Sequence, residues 1–115
     1  MQTGDISGRE FENQIKSGVS LIDFHAPWCA PCHLQEPIIR FLAKQFNTKA
    51  FVSKMNIEKN RETVSRLRIK GIPTLIIFKN GKEVQRFVGL QSAETLSKAL
   101  EKILLQKTKI QRPSR

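Results

Sequence analysis

The chain has few residues of the kinds that bind metals or stack on bases. Its 115 residues include two cysteines, two histidines, one tryptophan and no tyrosine. A closed structural zinc site needs four ligands, and this chain offers two cysteines with His25 and His33 but no second Cys-x-x-Cys or His-x-x-x-His pair. Aromatic residues are too sparse outside the expected core to indicate a base-stacking platform. We therefore expect no bound metal and no specific nucleic-acid partner.

Long apolar runs and linkers are also missing. No stretch approaches the roughly 20 apolar residues of a membrane-spanning helix, and residues 1–5 lack the basic and apolar regions of a secretory signal. No Gly/Ser-rich segment or repeat divides the chain, so one domain with a single modest core is expected over residues 1–106. These shortages predict a cytoplasmic protein with no membrane partner.

Acidic residues are half as numerous as basic ones. Twenty Lys and Arg stand against ten Asp and Glu, which gives a formal net charge of +10. Residues 107–115 are basic and lack apolar periodicity, so we predict a disordered tail there. We hypothesise that the charge favours acidic reductase or substrate surfaces, although a plain solvated surface is the default interpretation.

Both cysteines lie in one short segment, Trp28-Cys29-Ala30-Pro31-Cys32, between an apolar run and a helical pattern. A Cys-x-x-Cys pair is half of a zinc site, a redox couple, or a chance occurrence. The ligand count disfavours zinc, and the flanking tryptophan and internal proline disfavour chance. The leading interpretation is a dithiol that forms and breaks a disulfide.

The residues after Cys29 follow a helical period from about residue 30 to residue 46. Pro31 suits the first turn of a helix, whereas Pro37 lies inside it and is expected to bend it. The pattern predicts that one apolar stripe of this helix consists of Leu34, Ile38, Phe41, Leu42 and Gln45.

The position of the two cysteines at the start of this helix predicts their chemistry. Unpaired amides and the positive end of the helix dipole favour a thiolate, which predicts a lowered pKa for the more exposed sulfur. Cys29, nearer the tip, is the predicted nucleophile and forms a mixed disulfide with the substrate. Cys32 lies one turn further in and is predicted to attack that bond and release the reduced product.

The rest of the pattern predicts an α/β layout. Ser7 and Glu10 form a capping-box pattern for a first helix, and further helices are predicted to begin at Asn60 and Ser92. Predicted strands span residues 19–25, 51–57, 74–79 and 83–88. The last two are joined by a tight Asn80-Gly81 turn. Strands that alternate with helices and end in a hairpin predict a mixed sheet with helices on both faces.

The sequence resembles the thioredoxin family over about residues 6–106. Besides the dithiol, the resemblance rests on an ordered set of motifs: Asp23-Phe24, Pro37, Lys54, Gly71-Ile72-Pro73-Thr74, residues 78–81 and Val88-Gly89. This set is more specific than Cys-x-x-Cys alone. The resemblance implies a thioredoxin fold whose first strand, before Ser7, is short or absent, and a redox-active disulfide without a further cofactor.

The resemblance also implies where substrates bind. Pro73 would be a cis-proline opposite the disulfide, and the backbone of Ile72 would pair with an extended substrate segment. The Gly-Ile-Pro-Thr sequence alone would favour an ordinary trans turn. The residues that would form the docking rim around the dithiol are Trp28, Ala30, Pro31, Ile72, Pro73 and Gly89.

Asp23 has two interpretations from the residues alone. Burial of an ionised carboxylate in an apolar strand is costly, so a buried Asp23 would have a raised pKa and would exchange a proton with Cys32. An aspartate at a strand end, facing solvent or capping a turn, fits the pattern about equally well. The resemblance favours the proton relay, with Lys54 as the charge partner.

The chain departs from the family pattern near the dithiol. His25 stands where many thioredoxins have an aromatic residue, Ala30 replaces the usual glycine, and His33 replaces a residue that is often lysine. A protonated histidine there would stabilise the Cys29 thiolate and make the disulfide more oxidising. The alternative interpretation, which is the more common one for histidines, is that both are neutral residues that pack in the interior or lie on the surface.

These observations predict a protein-disulfide reductase that uses Cys29, Cys32 and Asp23 and receives electrons from a thioredoxin reductase or an equivalent donor. It is expected to act as a monomer. One alternative is a noncatalytic module that holds a partner through the apolar rim, which the intact cysteine pair disfavours. Another is a more oxidising oxidase or isomerase, which Ile72 and the missing signal segment disfavour.

Overall fold

Helices and strands alternate along the chain in the computed structural model, which describes residues 4–106. The elements of this part of the chain are α1 (Gly8–Ile15), β1 (Val19–His25), α2 (Ala30–Gln45), β2 (Ala50–Asn56), α3 (Arg61–Arg66), β3 (Thr74–Lys79), β4 (Lys82–Val88) and α4 (Ala93–Leu105). The strands lie within one residue of their predicted bounds. The predicted basic tail lies outside the described residues.

The strands form one mixed sheet in the order β2-β1-β3-β4. β1 and β2 are parallel and are joined through α2, whereas β3 runs antiparallel to both β1 and β4. Within the described residues, the expected first strand is represented by a single parallel bridge between Asp5 and Lys54. This arrangement confirms the predicted α/β class and the short first strand.

Apolar clusters cover both faces of the sheet, and β1 contributes to each. Val19 and Leu21 pack in a cluster with residues of α2 and α4, while Ile22 and Phe24 pack in a second cluster with α1. The alternation follows from the pleat, which points successive side chains to opposite faces. Asp23 therefore points to the same face as Leu21, toward the start of α2.

The predicted apolar stripe of α2 is wrong for most of its members. Leu34 and Phe41 are 63% and 54% exposed, Gln45 is exposed and Ile38 is only half-buried, so Leu42 alone of the stripe lies in the core. The buried face consists of Cys32, Gln35, Ile39, Leu42 and Ala43. The helix is rotated by about one residue from the prediction, since the polar Gln35 is buried and the apolar Leu34 beside it is exposed. Pro37 lies inside the helix as predicted.

The helix starts and the hairpin turn follow their sequence signals. Ser7 and Glu10 form the reciprocal capping box at α1, and the Ser92 side chain accepts from the Thr95 amide at α4. Asn60 precedes α3 but its side chain makes no capping bond. Asn80 and Gly81 have φ values of 51° and 88°, the left-handed pair that a tight two-residue hairpin requires.

Among residues 4–106, no helix combines the length and the apolar character needed to cross a membrane.

Candidate active site

The dithiol lies at the N-terminus of α2. Cys29 is the residue before the first turn, Cys32 lies within that turn, and their sulfurs form a disulfide across a Cα–Cα distance of 5.2 Å. The Cys32 amide donates to Cys29 Sγ over 3.3 Å. Exposed fractions of 5% for Cys29 and 4% for Cys32 do not distinguish the two residues, contrary to the expectation that Cys29 is the more exposed. Their positions do, since among the hydrogen bonds of residues 4–106 the Cys29 sulfur accepts from a helix N-terminal amide and the Cys32 sulfur does not.

Two other segments meet at the dithiol. Ile72 and Ile57 pack against the small cluster that contains both cysteines. The Ile72-Pro73 peptide bond is cis, as the family resemblance implied. The Gly89 amide donates to the Pro73 carbonyl oxygen over 2.8 Å, which joins two segments of the predicted rim.

Trp28 lies on the outer side of the dithiol. It is 67% exposed, and its Nε1 donates to Glu58 Oε2 over 2.5 Å. Ala30 and Pro31 are exposed beside it, whereas Pro73 is buried. The predicted rim therefore contains an exposed tryptophan whose ring is held by a carboxylate that the sequence did not single out.

Asp23 is buried inside the protein. The residue is 1% exposed, and its Oδ1 has no hydrogen-bond partner within the described part of the chain. Burial raises the pKa of Asp23 to about 7; the charges of Asp5 and Glu36 add to this rise, and the Lys54 charge opposes it. The interpretation of Asp23 as a solvent-facing or turn-capping residue is therefore wrong.

One pocket of about 130 Å³ connects Asp23 with the dithiol. Its volume is large enough for water. The residues that line it are Asp5, Asp23, His25, Ala26, Pro27, Cys32, His33, Glu36, Lys54 and Asn56. The buried carboxyl and the inner cysteine thus face one small space beneath the start of α2.

Lys54 lies beside Asp23 but bonds elsewhere. The two residues are register partners in β1 and β2, yet Lys54 Nζ donates to Glu36 Oε2 over 2.9 Å. The Arg40 guanidinium donates to the same oxygen, also over 2.9 Å. The hydrogen bond from Lys54 is the main reason that the pKa of Glu36 is lowered. The predicted Lys54–Asp23 partnership is therefore an effect of charge without a direct hydrogen bond.

Comparisons with known proteins agree with this geometry. A family model described as Thioredoxin matches residues 2–102. The chain belongs to the thioredoxin family. The thioredoxin of Staphylococcus saprophyticus is 38% identical over 99 residues, which make up 86% of this chain and 95% of that protein. The thioredoxin of Staphylococcus aureus is 37% identical over a stretch of the same length and coverage.

Solved thioredoxin structures share the fold. A mutant thioredoxin from Halobacterium salinarum superposes with a TM-score of 0.82 at 34% identity, over 89% of this chain and 90% of that one. Chloroplastic thioredoxin z superposes with a TM-score of 0.81 at 28% identity, over 90% and 95%. Together with the disulfide-bonded pair Cys29 and Cys32, family membership identifies the chain as a thiol-disulfide oxidoreductase of the protein-disulfide reductase type.

His25 and His33 both line the pocket. His25 Nε2 donates to Asp5 Oδ1 over 2.5 Å, and His33 Nε2 donates to the Pro27 carbonyl oxygen over 2.6 Å. Each ring is oriented by a partner close to the dithiol. Their influence on the dithiol remains a prediction.

Sequence reasoning missed Gln35, a buried polar residue of α2. Its Nε2 donates to the Gln91 carbonyl oxygen over 2.9 Å, and its Oε1 accepts from the Gln91 amide over 2.8 Å. This clasp connects the dithiol helix to the segment that follows Gly89. The only signal in the sequence was a glutamine at a core spacing, which becomes informative once its distant partner is known.

No group of three or more His, Cys, Asp or Glu side chains within residues 4–106 is arranged to hold a metal ion.

Proposed function

We propose that this chain reduces protein disulfides by a two-step exchange in which Asp23 handles the proton of Cys32. The Cys29 thiolate attacks a substrate sulfur, forms a mixed disulfide and expels the other substrate sulfur as a thiolate. Asp23 then takes the proton of Cys32, and the Cys32 sulfur attacks Cys29 Sγ. The Cys29–Cys32 disulfide forms, and the second substrate sulfur leaves.

In total, the two exchange steps transfer two electrons and two protons to the substrate. One proton comes from Cys32 through Asp23, and the other comes from solvent, to which Cys29 has already lost its own. The observation that carries the proposal is that Asp23 and Cys32 line the same small pocket. A carboxyl whose pKa is about 7 is matched to proton exchange near neutral pH.

Substrate docking is proposed at the rim of Trp28, Ala30, Pro31, Ile72, Pro73 and Gly89. Support comes from the packing of Ile72 against the cysteines and from the bond between Gly89 and Pro73. An extended substrate segment would pair with the Ile72 backbone and so bring its disulfide over Cys29. The electron donor is proposed to be a reductase of the thioredoxin-reductase class, and the protein to act as a monomer.

The Cys29–Cys32 disulfide must be reduced again after each turnover, which a reducing compartment permits, so we propose that the protein works in the cytoplasm. We also propose that it needs no bound cofactor. The formal charge of +10 supports a preference for acidic reductase or substrate surfaces. Docking rates that do not change with salt concentration would contradict that preference.

The test of the exchange is to trap its intermediate. The Cys32→Ser variant should accumulate a mixed disulfide between Cys29 and a protein substrate, because no internal thiol can resolve it. The matched Cys29→Ser variant should form no such adduct. A Cys29→Ser variant that retains the biological function would instead favour a noncatalytic binding module.

The reduction potential distinguishes a reductase from an oxidase or isomerase. Equilibration with a dithiol redox buffer, followed by quantification of free thiols, should give a value below the roughly −220 to −260 mV of a cytosolic glutathione pool. A value well above that range would favour an oxidase or isomerase tuned by Ala30, His25 and His33.

A further inference from the structure

The Lys54–Glu36 ion pair and the hydrogen bond between His25 and Asp5 border the pocket that contains Asp23. The titratable or charged groups that line the pocket with Asp23 come from the N-terminal segment, β1, α2 and β2: Asp5, His25, Cys32, His33, Glu36 and Lys54. Arg40 lies behind Glu36 and shares its oxygen.

The geometry of Lys54 is the unusual feature. Register partners on adjacent strands point to the same face of a sheet, so Lys54 starts beside the carboxyl of Asp23. A buried carboxylate next to an ammonium would normally form an ion pair with it. Here the ammonium reaches to α2 and bonds to Glu36, and Asp23 Oδ1 has no partner within the described residues.

We propose that Glu36 is a positioning residue that holds the Lys54 ammonium away from Asp23 and thereby raises the proton affinity of the buried carboxyl. The proposal deepens the relay function and rests on it for its importance in turnover. The hydrogen bonds of Glu36 within the described residues go to Lys54 and Arg40 and not to the cysteines, so it acts through Lys54 and through its own charge.

Two physical effects of Glu36 act in the same direction. The negative charge of Glu36 itself disfavours a second negative charge on Asp23. Its hydrogen bond keeps the Lys54 ammonium out of ion-pair contact with that carboxyl, so the Lys54 charge lowers the Asp23 pKa only from a distance. Arg40 supports the arrangement because its bond keeps Glu36 ionised. Asp5, which accepts a hydrogen bond from His25, also disfavours ionisation of Asp23, and its charge contributes more to this than the charge of Glu36 does.

The consequence for the reaction is that Asp23 becomes a base strong enough to take the proton of the Cys32 thiol. With Lys54 held away, Asp23 binds a proton near neutral pH and can take one from Cys32. With Lys54 beside it, Asp23 would stay ionised to lower pH and would be a weaker base for the thiol. Glu36 therefore sets the pH range over which the resolving step works.

The direct test is the titration of Asp23 in a Glu36→Gln variant, read from the carboxyl infrared band or the ¹³C chemical shift of the Asp23 carboxyl. We expect the midpoint to fall by about one pH unit, a tenfold loss of proton affinity. The control is Glu94→Gln, which removes the same charge from an exposed i,i+4 pair on α4 and should not move the midpoint. An unchanged midpoint in Glu36→Gln would overturn the proposal.

A second background separates positioning from direct repulsion. In a Lys54→Met protein, the Glu36→Gln change should shift the Asp23 midpoint by less than half as much as in the parent, because there is no ammonium to hold. Equal shifts in both backgrounds would mean that Glu36 acts only by its own charge, which contradicts the positioning role. The spectroscopic readout does not depend on turnover, so it stands even if the relay itself fails its own test.

Discussion

The two halves of β1 share their neighbouring strands and yet have opposite characters. Residues 19–22 are fully enclosed: Val19, Leu21 and Ile22 pack in apolar clusters, and the Ser20 hydroxyl donates to the Gln14 carbonyl oxygen over 3.4 Å. Residues 23–25 contain the carboxyl without a hydrogen-bond partner and a histidine that is only partly buried. Side chains of the first half pack against the apolar bodies of helices. In the second half Phe24 does the same, whereas Asp23 and His25 line the pocket near the start of α2.

This difference indicates that one end of the strand stabilises the fold and the other serves the reaction. A buried carboxyl without a partner destabilises the folded state when it is ionised, which is why its pKa is about 7. Apolar burial in the first half offsets that cost. Variants that affect one half without the other should therefore separate stability from activity.

Removal of the nucleophile gives the largest expected effect. Cys29→Ser should abolish protein-disulfide turnover, because serine forms no disulfide with a substrate. The free energy of unfolding of the reduced protein should change by less than about 1 kcal/mol, since the two side chains are close in size. Turnover with dithiothreitol as electron source and a urea titration under reducing conditions measure both. Retained turnover would contradict the assignment of Cys29.

Truncation in the enclosed half should have the opposite result. Leu21 is completely buried in the cluster with α2 and α4, so Leu21→Ala should lower the free energy of unfolding by about 2–5 kcal/mol. The variant that remains folded should keep the parent's pH dependence of turnover, because Asp23 and its pocket are untouched. A shifted pH profile would show that the two halves are not separable.

Neutralising the buried carboxyl should change how stability depends on pH. Between the unfolded value of 3.8 and the folded pKa of about 7, the folded state binds more protons than the unfolded state, so stability falls as pH rises through this window. The loss amounts to about 4 kcal/mol, from a shift of about three units. Asp23→Asn should remove this loss.

The measurement is the free energy of unfolding of parent and Asp23→Asn at pH 5 and pH 8. The variant's advantage over the parent should be larger at pH 8 than at pH 5. An advantage that is the same at both values would mean that the carboxyl does not titrate within the window.

The smallest expected effects are on the outer face of α2. Leu34 and Phe41 are exposed, so Leu34→Ala and Phe41→Ala should each change the free energy of unfolding by less than about 0.5 kcal/mol. Ile39→Ala, on the buried face of the same helix, is the matched comparison and should cost about 2–5 kcal/mol. Similar losses of unfolding free energy in Ile39→Ala and Phe41→Ala would contradict the observed orientation of the helix and favour the one predicted from the sequence.

Local signals were sufficient for the secondary structure and the dithiol. Continuous apolar runs predicted β1 and β3, the Asn80-Gly81 pair predicted the hairpin, and the spacing of the cysteines at a helix start predicted the redox pair. Each of these signals lies within a few residues of the feature that it predicts. The mixed sheet with helices on both faces then follows from how alternating elements pack, whereas the strand order was not predicted.

Contacts between distant residues could not be predicted in this way. Gln35 can be buried because its amide meets the Gln91 backbone, 56 positions away, and the buried face of α2 is therefore displaced by about one residue from the predicted one. The attachment of Lys54 to Glu36 joins a strand to a helix 18 positions away, and nothing local indicates it. The burial of Asp23 needed the family resemblance to be favoured over solvent exposure.

The most direct test of the account is the rate at which Cys32 resolves the mixed disulfide, measured as single-turnover release of reduced protein substrate from pH 5 to pH 9. For the parent, the account predicts an inflection near the Asp23 pKa of about 7. In Asp23→Asn, the inflection should be absent and release at pH 8 at least about tenfold slower. Superimposable profiles for the two proteins would contradict the claim that the buried carboxyl serves the reaction.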